Sequence, residues 1–176
     1  KGRRRPRGAH HGITPLTPEP QGRDWAVILF MGALHVLALV ALLPQFWSLT
    51  AIGTLAVLYW VTACLGVTIG YHRLYTHKSF EASAPVAWVS AVCGSMAVQG
   101  PLLWWVTTHR RHHQHSDHEL DPHSPHAGRQ PGILGWVRSF GHSHIGWLFS
   151  DVDIASSVAK YAPDVAADKR AQLISK

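Results

Sequence analysis

Between residues 25 and 72 the chain carries no Asp, Glu, Lys or Arg, and the same holds between residues 82 and 109. Charge is confined to the start, to an island over residues 73–81, and to the stretch from Arg110 onward. Uncharged runs of this length are costly to keep in water and ordinary in a bilayer. Residues 26–43, AVILFMGALHVLALVALL, nearly cross a hydrocarbon core of about 30 Å at about 1.5 Å per residue. Pro44 ends them. Residues 47–69 form a second predicted span, with Trp47 at one interface and Tyr71 near the other. Two spans with a tight link predict a helical hairpin that returns the chain to the cytoplasmic side at His72. The expected fold class is therefore all-α: a transmembrane hairpin followed by a cytoplasmic-side, histidine-rich helical region.

The third apolar stretch, residues 84–106, is broken by Pro85, Gly94, Gly100 and Pro101. If it crossed the membrane straight, the histidines before and after it would lie on opposite faces, about 30 Å apart. If they share one site, it lies in the interface or dips in and returns, which those breaks permit. The half-buried or re-entrant path is the preferred reading. Residues 107–176 are polar, His-rich at first and partly helical at the end, and no internal repeat is visible. The domain reading is thus a basic flexible arm over residues 1–24 and a partial membrane domain over residues 25–176.

Composition changes this picture at the terminus. Lys1, Arg3, Arg4, Arg5 and Arg7 supply five positive charges against a net charge of +6. A basic arm before an apolar span marks the cytoplasmic side. That outweighs the rival reading of a nucleic-acid-binding tail, so no nucleic-acid partner is expected. Cys64 and Cys93 both lie in apolar runs and read as small buried residues rather than a disulfide or zinc framework. The first apolar stretch is too long, and lacks the small-residue site, for a cleaved signal peptide. The localisation expected is integral, multi-pass membrane, with the histidines on the cytoplasmic face.

The chemistry lies in fourteen histidines, seven of them between His109 and His126. His109, His112 and His113 stand at i, i+3 and i+4, so a helix projects them from one face, where they can converge on one or two metal ions. Three imidazoles so gathered repel when protonated, and a metal is the usual reason to gather them. His72 and His77, five apart, diverge by about 140° on a regular α-helix. They serve one cluster if the helix end unwinds, or if each binds a different metal. His35, in the first span, reads as a satisfied interhelical polar residue, and His10 and His11 as solvated tail. No cysteine lies near either group, which argues against structural zinc. Nitrogen ligation by five or more imidazoles suits iron, although spacing alone does not separate iron from copper or zinc.

HRLYTH, residues 72–77, and HRRHH, residues 109–113, resemble the first and second histidine boxes of membrane fatty-acyl desaturases, above all the delta-nine acyl-CoA and acyl-lipid type. The context GYHRLYTHKSF agrees, as do Gln99-Gly100, Trp104-Trp105, Ser116-Asp117, DPHSP at residues 121–125 and SHIGW at residues 143–147. The likeness runs from about Asp24 to the end. It implies that His72, His77, His109, His112 and His113 are ligands of two non-haem irons. It also implies outer roles for His123 and His144, and an Asp117 that orients a ligand ring through its second nitrogen. Trp104 and Trp105 either line the acyl channel or anchor at the interface. The implied reaction inserts a cis double bond into a fatty-acyl chain with O2 and two electrons from an external ferredoxin or b-type cytochrome. No G-x-G-x-x-G fingerprint for a flavin or nicotinamide is present. The alternatives are a hydroxylase on the same scaffold, a non-catalytic His-rich metal-binding membrane protein, and an inactive desaturase fragment. The chain departs from the family in two ways. It contains no third, HxxHH box, so that part of the ligand set is absent. Thr107 and Thr108 stand where many animal acyl-CoA enzymes have a charged pair, which leaves the acyl carrier open.

Overall fold

The computed structural model describes residues 22–118, 120–126, 131–151 and 154–176. Most of the expected basic arm, with His10 and His11, lies outside the described residues. Helix α1, Trp25–Val40, starts where Asp24 accepts a hydrogen bond from the Val27 N–H at 3.0 Å. It is shorter than the span read from the sequence. Pro44 opens a 3-10 turn, Pro44–Phe46, and Ser48 caps α2, Leu49–Tyr59, by accepting from the Ala51 N–H. The helix does not stop at residue 69. It continues as a π-helix, Trp60–Thr76, so that one apolar helix of 28 residues, Leu49–Thr76, is long enough to cross a membrane. None of the residues in α1 or α2 is buried. His35 is satisfied within its own helix, its Nδ1 lying 2.7 Å from the Met31 carbonyl, rather than by a neighbouring helix.

The third apolar stretch is two helices, α3 (Ala84–Ser95) and α4 (Leu102–His115). Between them Val98 and Gly100 adopt left-handed backbone conformations, with φ of 58° and 95°. The π segment packs on α3 along a seam of small residues. A Cβ on Gly66 would sit 2.3 Å from the Cys93 carbonyl carbon, and one on Gly94 would sit 2.4 Å from the Tyr71 ring. Cys64 and Cys93, expected to be buried, are free thiols and only half-buried.

Helix α5, Gly132–His144, and a 3-10 turn, Gly146–Phe149, follow. That turn meets the start of α1: the Asp24 N–H donates to the Phe149 carbonyl at 3.0 Å. Beside it, two-residue strands β1 (Gly22–Arg23) and β2 (Ser150–Asp151) pair antiparallel, a small addition to a helical fold. The chain ends in three short helices, α6 (Ala155–Tyr161), α7 (Pro163–Ala167) and α8 (Lys169–Ile174). They close a core over α4 in which Tyr71, Leu102, Val106, Ala162 and Ala171 are wholly buried.

Candidate metal centre

The π winding decides where the first pair of histidines goes. An i→i−5 bond stacks residues five apart, as the α-helical i→i−4 bond stacks residues four apart. The His77 N–H donates to the His72 carbonyl in this register. Both rings therefore project to one side, and their Nε2 atoms lie 3.1 Å apart. On α4, His109 and His113 are one turn apart with Nε2 atoms at 3.0 Å. The two pairs meet through His77 and His113, whose Nε2 atoms are 3.2 Å apart across 36 residues of sequence. One ring nitrogen from each of His72, His77, His109 and His113 lies within 4.8 Å of every other.

Hydrogen bonding does not account for this arrangement. A ring nitrogen of neutral imidazole has either one hydrogen or one lone pair and satisfies one neighbour. The Nε2 atoms of His77 and His113 each face two neighbours, so at most two of the three contacts are hydrogen bonds. A cation bound among the four rings would replace all three. Two nitrogens bound at about 2.1 Å and at right angles stand about 3.0 Å apart, which is close to the spacing found.

His112 lies at the flank of the cluster, its ring centroid 5.5 Å from that of His113 and 6.0 Å from that of His109. Its Nδ1 lies 3.0 Å from Asp121 Oδ2, and its ring stacks on His123 with centroids 4.3 Å apart. The Asp121 side chain is 1% exposed and accepts from the backbone N–H groups of Asp117 and His123. Burial alone would raise this carboxyl; the two N–H donors and the His112 ring outweigh it and hold it below the usual carboxylate range. His112, Asp121 and His123 form a second group able to hold a metal ion. Trp105 covers His109, their rings stacked at 4.5 Å, and donates its indole N–H to Gln99 at 3.2 Å.

No family model matches the chain. Curated relatives are similar over most of it, among them the following three. An sn-1 stearoyl-lipid 9-desaturase of Anabaena variabilis is 39% identical over 153 residues, 87% of this chain and 52% of that protein. An sn-2 palmitoyl-lipid 9-desaturase of a Nostoc strain is 39% identical over 154 residues, 84% of this chain and 48% of that protein. An acyl-CoA C20 Delta5-desaturase of Anemone leveillei is 37% identical over 134 residues, 76% of this chain and 39% of that protein. The chain belongs to the fatty-acyl desaturase family. It spans about half the length, or less, of the curated relatives it matches.

In this chain the five histidines of the two boxes divide into a cluster of four and His112 beside it. The carboxylate on a box histidine is that of Asp121, not Asp117. The Asp117 side chain is 67% exposed and lies 3.9 Å from His126, while its backbone N–H serves Asp121. The sequence signal for Asp121 is the Asp-Pro pair of DPHSP, a turn former just beyond the helix. His123 stands beside His112, their rings stacked. His144 does not join either group: it stacks on Phe140 along α5, with centroids 5.7 Å apart. Trp104 stacks on Trp147 at 5.6 Å, and Trp147 in turn meets His123 at 5.2 Å. His115 is half-buried, with its Nε2 3.2 Å from the Tyr161 hydroxyl. Thr107 is fully buried and donates to the Leu103 carbonyl at 2.7 Å, one turn back on its own helix.

Proposed function

We propose that this chain carries the first two histidine boxes of a membrane fatty-acyl desaturase. The enzyme would introduce a cis double bond into the acyl chain of a lipid or acyl-CoA, using O2 and two electrons from a ferredoxin or b-type cytochrome. His72, His77, His109 and His113 would hold iron through Nε2, and His112 would join them from its place on Asp121. The observation that carries this reading is the run of four close Nε2 atoms, of whose three contacts hydrogen bonding accounts for at most two. Two irons, when bound, would supply with O2 the oxidising power to remove hydrogen from unactivated methylenes, which no side chain possesses. The protein's own part is to orient and to keep water out. Trp105 covers His109, Asp121 holds His112, and Tyr71, Leu102 and Val106 make the wall behind them dry.

The membrane arrangement belongs to the same proposal. Leu49–Thr76 would cross the bilayer with α1 as its hairpin partner, and residues 84–106 would dip in and return. The support is that large apolar side chains along α1 and α2, among them Leu29, Leu39, Leu49 and Leu55, are exposed. Histidines on either side of the broken stretch also meet within hydrogen-bond distance. Residues 25–176 would be part of one membrane domain, its histidines on the cytoplasmic face.

The test is the fatty-acid profile, by gas chromatography, of a desaturase-deficient host expressing this chain and, in parallel, a full-length version if the gene continues. New monounsaturated chains from the full-length form, abolished by His112→Ala, are expected. No new unsaturation from the full-length form overturns the proposal. Activity from the 176 residues alone would overturn the need for a third box.

A further inference from the structure

Two of the three contacts in the four-histidine cluster are local to one helix. His72 with His77 is fixed by the π register, and His109 with His113 by one α-helical turn. The third, His77 with His113, joins two helices and has no such guarantee. A brace between those helices is therefore what sets the geometry of the whole group.

Arg110 sits inside HRRHH, next to His109, and its side chain is only 19% exposed. A guanidinium has five N–H donors in a fixed fork, and all five are engaged. Nε donates to the Thr76 carbonyl at 3.1 Å, and Nη2 to the Tyr75 carbonyl at 2.8 Å. Nη1 donates to the Tyr161 carbonyl at 3.1 Å, and Nη1 and Nη2 grip Asp164 at 2.6 and 3.1 Å. Tyr75 and Thr76 end the helix that carries His72, immediately before His77. Carbonyls at a helix C-terminus lack partners within the helix and attract a cation. Asp164, on α7, is in turn held by Lys78 at 2.7 Å, the residue that follows His77.

We propose that Arg110 is a positioning residue that sets the spacing between the His72/His77 pair and the His109/His113 pair, with Asp164 locking it in place. This rests on the metal-site reading above. The fork reaches two successive carbonyls of one helix from the backbone of the other, so the two helix segments cannot slide without breaking several bonds at once. Lysine, with one nitrogen, cannot span the same partners. The C-terminal helices thereby become part of the centre's framework although none of their residues enters it.

The experiment uses the full-length protein in lipid nanodiscs, with Co2+ as the probe. Arg110→Lys and Asp164→Asn are compared with Arg170→Gln, which disturbs the neighbouring Asp168–Arg170 pair on α8. Both test variants are expected to keep wild-type helix content by circular dichroism. Their Co2+ affinity should fall about 10- to 100-fold, the range found for outer partners of metal ligands, with an altered visible spectrum. Arg170→Gln should behave as wild type. If Arg110→Lys does not fold, Asp164→Asn carries the test, since it leaves Arg110 its three carbonyls. Wild-type affinity and spectrum in the folded variants would overturn the brace and leave the metal site standing. A wild-type protein that binds no Co2+ would overturn both.

Discussion

At the scale of single residues, burial and crowding hold His109 and His113 towards the neutral form. Burial first, then the rings of His113, His72, His112 and His77, push His109 down to about 3. Burial and the neighbouring rings also lower His113. Neutral imidazoles are what a metal needs. Spacing in the sequence was enough to find these rings, because i, i+3 and i+4 share a helical face whatever the tertiary fold. It was not enough to separate His112 from the other two, nor to choose its carboxylate. Asp117 follows the box directly, but helix α4 ends at His115 and Asp117 turns left-handed at φ 64°. That turn aims its N–H inward and brings Asp121 under His112. Asp121→Asn is therefore expected to weaken metal binding by about 10- to 100-fold, while Asp117→Asn leaves it unchanged, as read by metal titration of the purified full-length protein. The reverse order would contradict the assignment.

At the scale of elements, the positions of the helices were legible and their winding was not. A periodicity argument assumes about 100° per residue and sets His72 and His77 about 140° apart. The π register removes that divergence, and no composition signal announces it. The break at Gly100 and Pro101 was legible because a left-handed glycine and a proline stop a helix for local reasons, whereas Pro85 opens α3 and Gly94 lies within it, so neither breaks the stretch. The register of the π segment on α3 depends on small residues. A methyl group on Gly66 would press into the Cys93 backbone, whereas one on Gly53 meets nothing within 4 Å. Gly66→Ala should cost about 1–3 kcal/mol through overpacking, and Gly53→Ala should cost nothing measurable. Denaturation of the reconstituted protein would show the difference, and equal stability of the two variants would contradict the close seam.

At the scale of the molecule, the sequence marked residues 151–176 only as polar and partly helical. Their contribution is a contact between Arg110 and Asp164, 54 residues apart, which no local pattern encodes. Its electrostatics give a pH signature. The Arg110 guanidinium foremost, and then Lys78, hold the Asp164 carboxyl far below its ordinary 3.8 against the opposing effect of burial. A carboxyl depressed by folding stabilises the protein above its unfolded value and loses that contribution as pH falls through the folded value. The wild-type advantage in melting temperature over Asp164→Asn should therefore be full at about pH 5 and shrink below about pH 4. An advantage that does not change with pH would contradict the charged clamp.

Metal content is the measurement that bears hardest on the whole account. Full-length protein purified without oxygen, analysed by mass spectrometry for metals beside His113→Ala, is expected to carry about two irons per chain. The variant should lose most of that iron while keeping its helix content. Wild-type protein that holds zinc or no metal, or a His113→Ala variant that keeps its full iron, would contradict it.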